Sequence, residues 1–182
     1  PSPHQFTYFQ AGGFDASLLS FLQIDRHGSV NVSKLSARPH VTAGAGGFVD
    51  ITARAKKIVF SGPLVAGADV RIEDGKVHVL KEGKVKKLVP EVEHVSFSGR
   101  RAREQGQEIT YVTERCVLSL AKDGVTVTEI APGIDLQRDV LAQAGFELKV
   151  AGNLQVMPAA LFKPAKLGLT LNGAAKIGGG HD

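Results

Sequence analysis

The pattern of apolar and polar positions predicts many short strands and few helices. Apolar runs or alternations of strand length occur at 18–25, 30–33, 57–60, 70–72, 77–79, 85–89, 92–97, 108–112, 116–120 and 125–130. Helical spacing of apolar residues occurs at 48–55 and again over 136–144. In the second segment Asp135 is placed to cap the first turn and Gly145 to end the helix. This pattern predicts an α/β domain with much antiparallel structure.

Turn residues separate several of these predicted strands. Asp74 and Gly75 stand between two strand-like runs, and this is the residue pair that a type I′ turn prefers. Gly83 and residues 122–124 give similar turn signals. Strands joined by such short turns pair antiparallel, so we expect β-hairpins at these positions.

Composition and charge exclude several classes of protein. The 182 residues are 43% hydrophobic and 22% charged, as in globular domains, and no apolar run approaches the roughly 18 residues of a membrane span. The net charge of +4 suits an anionic ligand, but aromatic and basic residues do not alternate as on a base-stacking platform. We therefore expect neither a nucleic-acid nor a membrane partner. The single cysteine excludes an internal disulfide and is typical of a reducing, cytoplasmic setting.

Few side chains form a pattern that is typical of a catalytic, metal-binding or phosphate-binding site. Cys116 lies in an apolar run and is predicted to be a buried structural residue. The histidines are dispersed, no metal-ligand spacing occurs, and the Gly-x-Ser-x-Gly motif of hydrolases is absent. Arg100, Arg101 and Arg103 could meet phosphates, although a solvated face is the simpler interpretation.

The best local candidate for a site is residues 44–47, which we call the glycine loop. Bare backbone amides ahead of a helix can hold an oxyanion or a phosphate. The loop is not a dinucleotide fingerprint, because that motif would need glycine where Val49 stands, and no P-loop sequence occurs in the chain. From spacing alone, a plain tight turn and a ligand-binding loop both remain open.

Longer strings resemble the carboxy-terminal half of the acetate/propionate and 3-ketoacid CoA-transferases. The resemblance extends in order from about residue 6 to residue 162. The strings that carry it are GGFVDIT at 46–52, AKKIVF at 55–60, FSG at 97–99, AREQGQ at 102–107, YVTER at 111–115, TEIAPGIDL at 128–136 and DVLAQ at 139–143.

The resemblance implies a fold and a reaction. The fold is an open three-layer α/β/α domain with a mixed sheet and several hairpins, over 1–172, followed by a flexible glycine-rich tail at 173–182. The reaction is a ping-pong transfer of coenzyme A between acyl-CoA and short-chain carboxylic acids, as in short-chain fatty acid and ketone-body metabolism. Coenzyme A is a substrate in this family, and we expect no tightly bound cofactor and no metal.

The resemblance also implies the residues of the site. In this family a Gly-x-Gly-Gly-x-x-Asp loop supplies a backbone donor beside the reacting thioester, and the whole motif is present at 44–50. Gly46 and Gly47 are accordingly the predicted catalytic positions. The predicted residues for binding coenzyme A and shaping the loop are Gly44, Ala45, Phe48 and Asp50.

One part of the family pattern is missing from this chain. The nucleophilic glutamate of the family lies in a Glu-x-Gly segment upstream of the region that matches, and Glu82 and Glu114 belong to other family strings. We therefore expect a missing amino-terminal part or subunit, absent first strands, and an unpaired sheet edge that favours a homo-oligomer. A non-catalytic binding or assembly module and an acyl-CoA hydrolase of the same architecture are the alternatives.

Overall fold

A computed structural model describes residues 15–40 and 42–167, together with residues 4, 7, 8 and 11, and short strands dominate this part of the chain. The strands are β1 (Ala16–Ser20), β2 (Gln23–Asp25), β3 (Val30–Asn31), β4 (Lys57–Ser61), β5 (Val65–Ala66), β6 (Asp69–Glu73), β7 (Lys76–Lys81), β8 (Val85–Lys86), β9 (Leu88–Val89), β10 (Glu108–Val112), β11 (Cys116–Ala121), β12 (Gly124–Ile130) and β13 (Lys149–Val156). Two α-helices lie entirely within the described residues, α1 (Phe48–Arg54) and α2 (Gly99–Glu104), and residues 4, 7 and 8 are also helical.

The strands form one large mixed sheet and three small ones. The large sheet has the order β1–β4–β10–β11–β12–β13. Strands β1, β4 and β10 are parallel, β11 and β12 continue the sheet antiparallel, and β13 is parallel to β12. The small sheets are β3–β2–β9, β5–β8 and β6–β7. This mixed α/β architecture confirms the predicted fold class.

One face of the large sheet carries the core. Ile58 and Phe60 of β4 and Ile109 and Tyr111 of β10 are buried there, because alternate residues of a strand point to the same face. Both α-helices contribute buried residues to this same cluster. The core therefore lies between the central strands and the segments that connect them.

The opposite face of the sheet is less well covered. Leu18 of β1 pairs in register with Val59 of β4, so the two side chains share this face. Leu18 is 79% exposed, and Val59 is only partly buried although its strand has a neighbour on each side. Within the described residues this face thus leaves apolar surface in contact with water.

Two of the three predicted hairpins are confirmed, and the one at Gly83 is wrong, because β8 pairs with β5 and β7 pairs with β6. The turn between β6 and β7 has positive φ angles at Asp74 (50°) and Gly75 (74°), as a type I′ turn requires. Strands β11 and β12 pair directly through Ala121 and Gly124. In both cases the turn residues and the alternation of apolar and polar residues on either side favour a hairpin, so the local sequence is sufficient to predict it.

Several other predicted strands and one predicted helix are wrong, because tertiary contacts determine the structure of those segments. Residues 18–25 and 85–89 each split between two sheets, and residues 92–97 contribute only an isolated bridge from Phe97 to Val30. The segment 136–144 is a π-helical turn (Leu136–Val140) followed by a 3₁₀ turn (Leu141–Gln143) rather than an α-helix. Asp135 does cap it, accepting a hydrogen bond from the Arg138 amide. Helix α2 and strand β13 were not predicted, and the predicted tail at 173–182 lies outside the described residues.

Arg115 is a buried charge that ties the sheet to the β7–β8 connection. Its side chain is fully buried, and its guanidinium donates to both carboxylate oxygens of Glu82 at 2.7 and 2.9 Å. The Nε atom donates to Glu114 at 3.0 Å, and Nη1 also donates to the carbonyl of Asp139 at 3.1 Å. This last bond engages a carbonyl within the π-helical turn. One guanidinium therefore joins three segments that are distant in sequence.

The Glu82–Arg115 pair makes stability depend on pH. The hydrogen bond from Arg115 holds the pKa of Glu82 below its ordinary value of 4.5, so this stabilisation is present above that value and is lost as pH falls through the lower, folded-state pKa. We expect Glu82→Gln to lower the free energy of unfolding at pH 7 by about 1–3 kcal/mol. In acid the variant and the parent should converge. Urea unfolding followed from pH 7 to pH 3 measures both effects.

The matched control is the exposed pair of Lys57 with Glu108, whose side chains are 59% and 63% exposed. Lys57→Gln should change the free energy of unfolding by less than about 1 kcal/mol, because solvent screens such pairs. Equal losses for the two variants would contradict the special role assigned to the buried guanidinium.

Candidate functional site

The topology places the glycine loop at the carboxyl edge, the edge of the large sheet at which the parallel strands β1, β4 and β10 end. Helix α1 begins directly after the loop and leads back into β4, so the start of the helix lies beside the end of that strand. The packing agrees, because the ring of Phe48 lies 6.0 Å from that of Phe60 near the end of β4. Ligands of open α/β sheets bind outside the carboxyl ends of the strands.

Gly46 needs to be glycine for the loop to have this shape. Its φ is +49°, a left-handed value that side-chain-bearing residues rarely adopt, whereas Gly47 has an ordinary φ of −77°. The amide of Phe48 donates to the carbonyl of Ala45 at 2.8 Å and closes the turn. The backbone here thus forms a tight turn, and the ligand-binding role of the loop stays a prediction.

The loop is anchored from behind by Ser33, which follows β3. The Ser33 hydroxyl donates to the carbonyl of Ala43 at 2.8 Å, and the Ala43 amide donates to the carbonyl of Ser33 at 3.1 Å. An added Cβ at Gly44 or Gly46 would meet none of the described atoms within 4 Å. One side of the loop is thus fixed to the core, and the other has room for a ligand.

The six predicted site residues are adjacent, but they differ in exposure. Gly44 and Gly46 are exposed, while Ala45, Gly47 and Asp50 are half-buried. Phe48 is buried at 8% exposure, and its ring packs against the core. Its position is that of an anchor for the loop, so among these six residues the exposed backbone offers the most direct contact to a ligand.

A cavity of about 590 Å³ lies at the same edge of the sheet, and no sequence pattern predicts it. Ser61 at the end of β4 and Val112 at the end of β10 line it, together with small or apolar residues of the β4–β6 connection. It is a concave, mostly apolar space at a position where ligands of this fold class bind. Only the parallel pairing of the two strands brings its walls together.

The carboxylate that lines this cavity is already engaged. Glu114 accepts hydrogen bonds from the Leu64 amide at 2.9 Å and from Arg115 at 3.0 Å, one at each oxygen. Glu82 is held by the same arginine. Both carboxylates therefore have structural partners, and it stays a prediction that neither replaces the family's nucleophile.

Cys116 is not a candidate nucleophile either. Its thiol is fully buried in β11, and burial raises its pKa to about 12, so the reactive thiolate is scarce at neutral pH. The prediction of a buried structural cysteine is confirmed. Among the described residues, no group of three histidine, cysteine or acidic side chains could hold a metal ion. No helix in this part of the chain combines the length and the apolar character needed to cross a membrane.

Comparison with known proteins supports the resemblance. No family model matches the chain. Acetate CoA-transferase YdiF of Escherichia coli K12 is 42% identical over 94% of this chain and 32% of its own length. Caffeate CoA-transferase of Acetobacterium woodii is 47% identical over 86% of this chain and 30% of its own length. The chain spans about a third of the length of the curated relatives that it matches.

Solved structures agree with the sequence comparison. Crystal structures of the acyl-CoA transferase YdiF from Escherichia coli O157:H7, as the apoenzyme and as a thioester complex with CoA, match 94% of this chain and 33% of theirs at 41% identity with a TM-score of 0.88. Glutaconate CoA-transferase of Acidaminococcus fermentans matches 86% of this chain at 15% identity with a TM-score of 0.60, which shows a shared fold alone.

Proposed function

From its homology to one third of the CoA-transferase polypeptide, we propose that this chain is the carboxy-terminal part of a CoA-transferase that moves coenzyme A from an acyl-CoA to a short-chain carboxylic acid. The observation that carries the proposal is the complete glycine loop, held at the carboxyl edge of a sheet that matches YdiF. The acids remain a proposal from the resemblance, since the names of the relatives include both acetate and caffeate. We also assign the protein to the cytoplasm, because the single cysteine of this chain forms no disulfide.

The proposed chemistry follows the family's two-step exchange. A glutamate carboxylate attacks the acyl-CoA carbonyl, giving an acyl-glutamyl anhydride and free CoA thiolate. The thiolate then attacks the glutamyl carbonyl and forms an enzyme–CoA thioester, and the first acid leaves. The acceptor acid attacks this thioester, and the same steps in reverse release the new acyl-CoA.

Each of these attacks converts a carbonyl into an oxyanion. Preorganised amide donors lower the barrier most when they point at the place where this charge develops. We assign this role to the backbone at Gly46 and Gly47. Support comes from the exposure of Gly46, from the space in front of it, and from the anchoring of the loop to Ser33.

The nucleophile itself is proposed to come from outside this chain. Glu82 and Glu114 are held by Arg115, so using either as nucleophile would leave a buried guanidinium without its partner. The greater length of the relatives provides a source for the missing carboxylate, in an upstream part or a separate subunit. The exposed face around Leu18 supports the same proposal, because a companion segment could cover it. Assembly into a homo-oligomer also remains a proposal.

The first test concerns catalysis by the chain alone. We expect the pure 182-residue chain to show no exchange between acetyl-CoA and propionate, because it lacks the proposed nucleophile. Adding the upstream part, fused or as a second chain, should restore exchange. Transfer by the isolated chain at rates typical of enzymes would show that the nucleophile lies within it. Release of acetate without transfer to propionate would instead identify a hydrolase.

The second test concerns the glycine loop in the completed enzyme. Valine at Gly47 keeps the backbone N–H, but its side chain should clash with the thioester or turn that amide away. Gly47→Val should therefore reduce turnover roughly 100- to 1,000-fold, the effect of losing one oxyanion donor. Since Gly47 has an ordinary φ, this variant should keep its melting temperature. Gly46→Val should show a comparable loss of turnover and, in addition, a stability loss of about 1–2 kcal/mol from the left-handed backbone.

Gly124→Val is the matched control for Gly46→Val. Gly124 also has a positive φ (135°), and an added Cβ would meet only the Arg26 carbonyl oxygen at 3.8 Å, but it lies in the β11–β12 turn, away from the loop. It should lose similar stability and keep its turnover within a few-fold of the parent. If the loop variants behave like this control, the loop is merely a turn.

A further inference from the structure

A second recess begins beside the glycine loop. It lies between α1 and the segment that leads into α2, has a volume of about 230 Å³, and is called the arginine cleft here. Val49 of α1 and Val95 form apolar walls that are more than half exposed, and Phe97 lies between them and the core. Ser98, Arg101 and Gln105 line the cleft farther along.

Hydrogen bonds connect the near end of this cleft to the loop. Ser33 holds the carbonyl of Ala43, and the neighbouring amide of Val32 donates to the hydroxyl of Ser96, which lines the cleft. On the other side, Val49 is separated from Gly47 by a single residue of α1. A ligand whose reacting group lies at the loop can therefore extend into the cleft without crossing the core.

Three arginines follow one another closely in α2, and Arg101 is the one that lines this cleft. Ser98, Arg101 and Gln105 share a helix face by their spacing. Arg100 and Arg103 face the other way: Arg100 Nη2 lies 3.0 Å from Nε2 of His27, and Arg103 donates to the His27 carbonyl. The position of α2 is fixed by a close backbone contact, since an added Cβ at Gly99 would collide with the His27 carbonyl oxygen and lie 2.6 Å from the carbonyl carbon of Gly28.

Arg101 has positive charge to offer a ligand. Its side chain is exposed, and no carboxylate among the described residues lies within 4.0 Å of its guanidinium. The described residues that line the cleft with it are uncharged. An anionic group in the cleft would therefore find a bidentate partner and no competing carboxylate on the cleft walls.

We propose that Arg101 binds a phosphate group of coenzyme A, with the pantetheine arm lying along the arginine cleft toward the glycine loop. This inference rests on the proposed function, that the chain takes part in binding acyl-CoA. It adds a binding residue that none of the predicted site residues includes.

The chemistry of the substrates favours a phosphate over the carboxylate of the acid. A monocarboxylic acid must bring its only charged group to the reacting centre at the loop, so that group cannot also be at Arg101. Coenzyme A carries its phosphates at the far end of a long arm from the reacting sulfur. The arm is largely uncharged, and it suits a cleft with valine and phenylalanine in its walls and serine hydroxyls beside them.

The test compares ligands that differ in phosphate, on the 182-residue chain. Calorimetric titration with coenzyme A, pantetheine and succinate is carried out on the parent, on Arg101→Gln and on Arg100→Gln. We expect Arg101→Gln to weaken coenzyme A binding about 10-fold, in line with the loss of one charge-assisted contact. Pantetheine binding should be unchanged. Arg100→Gln should bind coenzyme A as the parent does, and melting temperatures of all three proteins report on folding.

The other outcomes show whether the phosphate site alone is wrong or the proposed function is wrong with it. If the parent binds coenzyme A and Arg101→Gln binds it equally well, or Arg100→Gln loses as much, the phosphate site is wrong and the proposed function stands. If Arg101→Gln loses succinate binding and retains coenzyme A, the cleft takes a carboxylate and the phosphate assignment is wrong. A parent chain that binds no coenzyme A contradicts the proposed function and this inference with it.

Discussion

Burial of one aromatic cluster is the constraint on which the site depends. The ring of Phe60 contacts three others, with centroids 6.0 Å away at Phe48, 5.2 Å at Phe97 and 5.7 Å at Tyr111. Burying a ring of this size contributes about 1.5–3 kcal/mol. The cluster holds α1, and thus the glycine loop, at one side and the floor of the arginine cleft at another. The backbone of the glycine loop can remain exposed to solvent because the adjacent Phe48 ring is packed in the core and holds the loop in place.

The sequence was sufficient to predict an element where its turn residues and apolar spacing favour the same structure as its tertiary contacts. The β6–β7 and β11–β12 hairpins follow from turn residues between alternating strands, and α1 follows from its helical spacing. The local sequence was insufficient to predict an element whose conformation depends on a side chain distant in sequence. Arg115 takes the carbonyl of Asp139 within a segment whose apolar spacing fits an α-helix. Strand β13 carries little local signal, and its pairing with β12 places it at the edge of the sheet.

The same distinction applies to the candidate site, part of which could be predicted from local sequence and part of which depends on long-range pairing. The composition of residues 44–47 marked a permissive backbone, and only the longer strings resembling CoA-transferases favoured a ligand loop over a turn. No local pattern could place that loop at the carboxyl edge, because its position depends on parallel pairing of strands separated by more than 30 residues. The cavity beside Val112 and the cleft beside Arg101 arise from the same long-range pairing, so their lining residues do not form a motif.

The backbone contact between Gly99 and the turn at Gly28 limits how this site can diversify. Neither position has room for a side chain: at Gly28 an added Cβ would lie 2.7 Å from the Tyr111 hydroxyl, which itself bonds to the Gly28 carbonyl. A side chain at Gly99 would separate α2 from the turn, whereas a side chain at Gly28 would collide with Leu120 and Tyr111 of the large sheet. The width of the cleft is thus fixed against stepwise mutation. Adaptation to a different ligand has to proceed through the outward walls at Val49 and Val95, where larger or smaller side chains meet mainly solvent.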